Sequence, residues 1–300
     1  MTERSAEGEY PSAAIVSVGD ELLLGHTVNT NGSWLAGRLS GLGLHVVHQI
    51  TTRDHPSEIR DGVSRALDLA ENVFVTGGLG PTPDDLTRDA VAELLGLPLE
   101  TDSHLLERIR DRSRSLAVAK PPPGVERMAL VPSGATVIAN PHGAAPGLLV
   151  ETGSKLLALL PGIPREMRDV FAPGMEAFLL KRLSGRLQPV LHRMVHTAGI
   201  PESRLAERIE EALGSDRGPV SLAYLPHAGG VRIRLSLRAR DTEEDAEAWL
   251  DRAEARLAPV LGPYRYEAQS GHLAEAVGEA LRASGQMLAV AESCTGGLIA

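Results

Sequence analysis

The stretch Asn72-Val73-Phe74-Val75-Thr76-Gly77-Gly78-Leu79-Gly80-Pro81-Thr82-Pro83-Asp84-Asp85 decides the fold. Residues 72–75 read as an apolar strand of the kind that is covered on both faces in a parallel sheet. The turn after it holds three glycines, which permit positive φ and close backbone approach. Gly77, Gly78 and Gly80 are therefore expected to turn their N–H groups toward an anion at the carboxyl edge of the sheet. A helix is expected from about residue 84 to residue 95, closed by Gly96. Thr82-Pro83-Asp84-Asp85 also fits a plain helix start, with a threonine cap, an early proline and an acid in the first turn. Most glycine-rich turns bind nothing, so the loop alone is a weak signal.

Working outward, residues 13–18 form a short β-branched strand ending in Gly19-Asp20. A helix is expected over 31–42, a strand over 44–50, and a helix over 56–70 with Ile59, Val63 and Leu67 on one face. Strands and helices alternating at this spacing predict an α/β fold, a parallel sheet flanked by helices on both faces. Residues 101–115 read as another helix and Pro121-Pro122-Pro123-Gly124 as a break. Short apolar runs fill 129–161, and a long amphipathic helix over 163–183 is expected to bend at Pro173. The first domain is placed at 13–185. A small α+β domain follows at 186–265, in the order strand, helix, two strands, helix, with a hairpin turn over 226–230. Residues 264–271 read as a linker. An incomplete α/β segment, 272–300, holds a helix over 273–284 and a strand over 287–291.

At 300 residues the chain exceeds one small core, and with only 3% aromatics its cores must be built from Leu, Val, Ile and Ala. A net charge of −9 argues against a broad phosphodiester-binding surface, so direct nucleic-acid binding is not expected, although a local basic patch stays compatible with it. Cys294 is the only cysteine, which excludes an intrachain disulfide. The polar start lacks a signal-peptide core and no apolar run reaches membrane-spanning length. A cytoplasmic location without membrane contact is the expectation.

The acids around the glycine loop sharpen the reading. Asp20 and Glu21 follow the first strand and Asp84 and Asp85 the third, so neighbouring strands can bring four carboxylates to one edge. Their hard oxygens suit Mg²⁺, Mn²⁺ or another octahedral divalent ion shared with phosphate oxygens.

Five blocks in order carry a resemblance over roughly residues 13–185: Val18-Gly19-Asp20-Glu21-Leu22-Leu23-Leu24-Gly25, Asn29-Thr30-Asn31, the stretch 76–87, Asn140-Pro141-His142-Gly143-Ala144-Ala145-Pro146-Gly147, and Leu160-Pro161-Gly162-Ile163-Pro164-Arg165-Glu166-Met167. The chain resembles the competence/damage-inducible CinA family, whose first domain has the fold of molybdopterin-binding proteins such as MogA and MoeA. Gly199-Ile200-Pro201-Glu202-Ser203 and Ala223-Tyr224-Leu225-Pro226-His227 extend the resemblance into the second domain. It implies a divalent-metal-dependent pyrophosphatase (Co²⁺, Mn²⁺ or Mg²⁺, with K⁺ as a helper) that splits ADP-ribose into AMP and ribose 5-phosphate. Asp20 and Asp85 match the acidic catalytic positions, with Glu21 and Asp84 as further metal ligands. Gly77, Gly78, Gly80, Thr82, Asn31 and Arg127 are the expected substrate contacts. Two departures stand out: Arg127 replaces a lysine, with Met128 beside it, and Asn29 stands where the family often has aspartate. Arg165 and Arg168 read as solvated surface groups more readily than as phosphate clamps, and His142 and His227 have no metal-spaced partner. The resemblance also implies a homodimer and a recombination-protein partner. Alternatives are another nucleotide diphosphate, such as FAD or NADH, or a nucleotide-binding adaptor without turnover.

A second motif, Glu292-Ser293-Cys294-Thr295-Gly296-Gly297, reads locally as a Ser/Thr cap before a glycine turn. It resembles the opening of the family's nicotinamide mononucleotide amidase domain, in which the serine matching Ser293 is the nucleophile. A general base and pocket would have to come from beyond Ala300, so no amidase activity is expected of these 300 residues and Ser293 reads as vestigial.

Overall fold

A computed structural model describes residues 10–115, 124–213, 218–227, 229–239 and 243–298. Pro121-Pro122-Pro123, read above as a break, lies outside them. The chain divides into two compact units, the first ending at Pro189 and the second starting at Val190.

The first unit runs β1 (Ser12–Val18), α1 (Asp20–Leu23), α2 (Thr30–Gly41), β2 (His45–Thr52), α3 (Pro56–Leu69), β3 (Asn72–Thr76), α4 (Thr87–Leu95), β4 (Leu99–Thr101) and α5 (Ser103–Ser115). A 3₁₀ turn (Val125–Ala129) leads to β5 (Leu130–Pro132), β6 (Thr136–Ile138), β7 (Gly147–Thr152), β8 (Lys155–Leu160), α6 (Pro164–Val170) and α7 (Glu176–Arg182). The main sheet has the order β2-β1-β3-β8-β7-β6. β2, β1, β3 and β8 are parallel, as expected, whereas β7 and β6 join antiparallel. β4 and β5 pair separately.

The central strands lack alternation because each one feeds two cores. Val73 and Val75 of β3 pack with Val16 of β1 and Ile59 and Val63 of α3, while Phe74 packs with Ile15, Leu35, Leu39 and Met167 on the opposite face. Trp34 meets Phe171 edge-on at 5.6 Å, concentrating the scarce aromatic surface in this second layer. The helix expected over 163–183 is broken rather than continuous: a π-helical segment, Phe171–Met175, separates α6 from α7 around Pro173, which has no N–H to continue an α-helix.

The second unit contains β9 (Val190–Thr197), α8 (Glu202–Leu213), β10 (Ser221–His227), β11 (Gly230–Arg238), α9 (Glu243–Leu261), β12 (Arg265–Tyr266) and α10 (Leu273–Ser284). Its antiparallel sheet has the order β10-β11-β9-β12, so part of the expected linker is a strand paired with β9. Val231, Ile233, Leu235 and Leu237 point from β11 into a core closed by Leu205 and Ile209 of α8 and Leu250 and Leu257 of α9. Residues 287–291 form no strand. Met287 is 98% exposed, and among the described residues no neighbouring strand supplies the hydrogen bonds a ladder needs.

Candidate functional site

Four loops meet at the carboxyl edge of the parallel strands, after β1, β2, β3 and β8. The chain leaves β1 for β2 on one side, and β3 returns on the other, so the connections reverse direction between β1 and β3. Open α/β sheets bind ligands at such a point. A cavity of about 100 Å³ lies there, lined by Ser17 and Val18, Thr76 and Gly77, Glu21, Asn29, Thr30, Asn31 and Gly162. Its volume suits one phosphate or a hydrated ion rather than a whole nucleotide.

Asn31, an expected substrate contact, lies in this cavity. Its Nδ2 donates to Gly162 O at 2.7 Å and Thr76 Oγ1 at 3.1 Å, while its buried Oδ1 has no hydrogen-bond partner among the described residues. Asn29 caps α2: Oδ1 accepts from Gly32 N at 2.8 Å and Nδ2 donates to Ser17 Oγ at 2.9 Å. The asparagine that departs from the family's frequent aspartate therefore has a structural use of both side-chain atoms.

Asp20 sits at the end of β1 and pairs with Asp54, which no motif in the sequence marks. Asp20 N donates to Asp54 Oδ2 at 2.9 Å, and Asp54 N returns a bond to Asp20 Oδ1 at 3.2 Å. Arg53 reaches Asp20 through Nε at 3.2 Å. That hydrogen bond holds the Asp20 carboxyl below its ordinary range. Asp54 is pushed the other way, first by loss of solvation and then by the negative charges of Glu21, Asp20 and Asp84, which outweigh the bond from the Asp20 backbone. Asp20, Glu21 and Asp84 thus each act electrostatically on Asp54.

Asp85 does not join them. Its Oδ2 accepts from Thr82 N at 2.9 Å and from the Thr82 hydroxyl, closing a turn over residues 82–85. Thr82 is therefore engaged with Asp85, and the helix starts later than expected, at Thr87, with Leu86 as its N-cap and no side-chain cap bond. Among the described residues no three His, Cys, Asp or Glu side chains form a ready metal-binding group. The expected four-carboxylate cage is absent. The hard oxygens offered at this edge are the separate carboxylates of Asp20, Glu21 and Asp54 and the buried Asn31 Oδ1.

The glycine turn also differs from expectation. Gly77, at φ 106°, donates its N–H to Leu160 O at 3.1 Å, so that group does not face a ligand. Gly78 lies over Thr87, whose hydroxyl would be 2.3 Å from a methyl built on that glycine, and Gly80 lies against the Asp85 carboxylate. Arg127 Nη2 binds Asp89 Oδ2 at 3.1 Å, both side chains being more than a third exposed, so it is engaged in an ion pair and not poised over the cavity. Met128 is core. Arg168 stacks over Trp34 at 5.7 Å, Arg165 is 78% exposed, and His142 binds Asp169 at 2.6 Å.

Beside Thr87, Arg88 is fully buried, and none of its guanidinium nitrogens has a hydrogen-bond partner among the described residues. Nothing in the sequence announces it, since an arginine in the first turn of a helix reads as solvated. Ser293 lies in an exposed turn in which Glu292 accepts from Gly297 N at 3.0 Å, and no strand precedes it to build the expected elbow.

Residues 14–181 match the family model for a probable molybdopterin binding domain, residues 192–266 that of the damage-inducible protein CinA KH domain, and residues 270–300 that of the CinA C-terminal domain. The chain is 43% identical over 295 residues to a CinA-like protein of Salinibacter ruber, covering 96% of this chain and 69% of that protein. A CinA-like protein of Chlorobaculum tepidum is 41% identical over 293 residues, covering 96% and 68%. A crystal structure of the protein CinA from Thermoplasma acidophilum, described as of unknown function, is 34% identical with a TM-score of 0.50, covering 59% of this chain and 97% of that one.

Proposed function

This chain belongs to the CinA family, and from that premise we propose that its first unit is a metal-dependent pyrophosphatase that cleaves ADP-ribose into AMP and ribose 5-phosphate. The observation that supports the reading is a small cavity at the reversal point of the sheet, lined by Glu21, Asn29, Asn31 and Thr76, with the Asp20–Asp54 pair next to Glu21 and the charges of Glu21 and Asp84 acting on Asp54.

A divalent ion, when bound, would neutralise the diphosphate and acidify a water. Asp20 and Glu21 are the groups to hold it, and Arg53 keeps Asp20 ionised for that role. Asp54, whose proton affinity is raised, accepts the proton of the attacking water. Asn31 Oδ1 would accept a hydrogen bond from the ligand or help to hold the ion.

Product identification with Co²⁺, Mn²⁺ and Mg²⁺ tests this. Asp20→Asn, which keeps an acceptor oxygen for the Asp54 N–H, should lower AMP formation by at least about 100-fold with an unchanged circular dichroism spectrum. Unchanged AMP release in that variant would remove the proposed site. Faster AMP release from FAD or NADH would displace ADP-ribose as substrate while leaving the site reading in place, and binding without turnover would favour a nucleotide-binding adaptor.

A further inference from the structure

The most anomalous group in the first unit is Arg88. It is 1% exposed, and among the described residues its Nε, Nη1 and Nη2 are all without hydrogen-bond partners. Thr87 Oγ1, one residue earlier, is buried and unpartnered too. Both stand at the N-terminus of the nine-residue helix α4, where the backbone dipole favours an anion. Both also lie behind the glycine turn: Thr87 N donates to Gly78 O at 3.1 Å, and the Thr87 hydroxyl sits directly under Gly78. Asp85 and Asp89 are the neighbouring negative charges, but Asp85 is engaged by Thr82, Asp89 is bound by Arg127, and Arg127 adds a like charge. A buried, unpaired guanidinium is costly, and apolar groups of the same volume are usually as good or better for stability. Packing therefore does not explain why arginine occupies this position.

We propose that Arg88 and Thr87 form an inner anion seat that takes non-bridging oxygens of one phosphate of a diphosphate ligand when the turn over 78–86 lifts from Thr87 while Gly77 stays anchored to Leu160. The planar guanidinium matches two such oxygens at once, and the threonine hydroxyl supplies a third donor. The inference rests on the diphosphate reading of the first unit. It adds a second phosphate position, separate from the small cavity beside Asn31, so the two phosphates of one ligand have distinct seats.

The test uses the full chain and inorganic pyrophosphate, with binding followed by isothermal calorimetry and by thermal shift, so that turnover is not needed. Arg88→Met should raise the melting temperature of the free protein and weaken pyrophosphate binding by at least about tenfold, while Arg88→Lys, which keeps the charge and loses the fork, should weaken it by a smaller factor. Wild-type affinity in either variant overturns the proposal, as does failure of the wild-type chain to bind pyrophosphate. Arg88-dependent binding without AMP formation from ADP-ribose would leave the anion seat standing and remove the pyrophosphatase reading. AMP formation with Arg88-independent binding would do the reverse.

Discussion

The Asp20 and Asp54 carboxylates each accept the other's backbone N–H, yet the two carboxyls are driven in opposite directions, and the proposed function divides their roles by that asymmetry. Asp20 is held low mainly by Arg53, so any stability it contributes is present above the ordinary carboxylate range and fades as pH falls through its folded value. Asp54 is raised mainly by desolvation, so its contribution has the other sign: it favours the folded state at low pH and is lost as pH rises through the folded value. Asp54→Asn keeps an acceptor for the Asp20 N–H and deletes the charge. Its stability relative to wild type should therefore improve as pH rises from the ordinary carboxylate range through the raised folded value of Asp54, read from urea midpoints at each pH. The same variant should lose about 10²- to 10⁴-fold in turnover, with the residual acid limb displaced to lower pH because the remaining carboxylate, Asp20, titrates lower. An unchanged acid limb would take the proton-acceptor role away from Asp54. Asp20, Glu21 and Asp84 are legible in the sequence because each follows an apolar strand closely. Asp54 is not, because β2 runs to Thr52, two residues beyond where its apolar pattern fades. Arg88 is invisible for a different reason, since burial of a charge against its intrinsic preference leaves no pattern in the neighbouring residues.

At the scale of elements, strands and helices that form by local pattern were readable, and those that depend on a partner were not. β1, β2, β3 and β8 announce themselves as apolar runs, whereas the antiparallel entry of β7 depends on the short turn Gly153-Ser154, which pairs Thr152 with Lys155. β12 exists only because β9 presents an open edge to Arg265 and Tyr266. The α4 start moved from Asp84 to Thr87 because Thr82 and Asp85 satisfy one another instead of a helix terminus. The β3-to-α4 connection is anchored at Gly77, and there the requirement is backbone against backbone. A methyl at Gly77 would lie 2.3 Å from Val18 O, in a residue whose φ of 106° is already unfavourable for any L side chain. Gly77→Ala should destabilise the first unit by at least about 2 kcal/mol, the sum of a positive-φ penalty and a contact that only a shift of β1 relieves. Denaturant titration followed by near-ultraviolet circular dichroism measures it, and a change below about 0.5 kcal/mol would mean that the β1 and β3 ends separate more readily than their pairing implies.

For the whole molecule, the buried clusters fall on either side of Pro189, those of the first unit ending at Leu187 and that of the second starting at Leu191. Among the described residues no helix is long and apolar enough to cross a membrane. Each unit therefore has its own hydrophobic core and its own reason to fold, which makes their stabilities separable in principle. Leu235 is fully buried at the centre of β11 in the second core. Truncating such a leucine to alanine costs about 2–5 kcal/mol. In a unit of this size each kcal/mol moves the melting point by roughly 4–8 °C. Leu235→Ala should therefore lower the calorimetric transition of the second unit by at least about 8 °C and leave that of the first in place. Because the carboxylates and the buried arginine belong to the first unit, pyrophosphate binding by the variant should match wild type at any temperature at which the first unit is folded. A common downward shift of both transitions would show that the units unfold as one body, and loss of pyrophosphate binding with an intact first transition would show that the site needs the second unit folded.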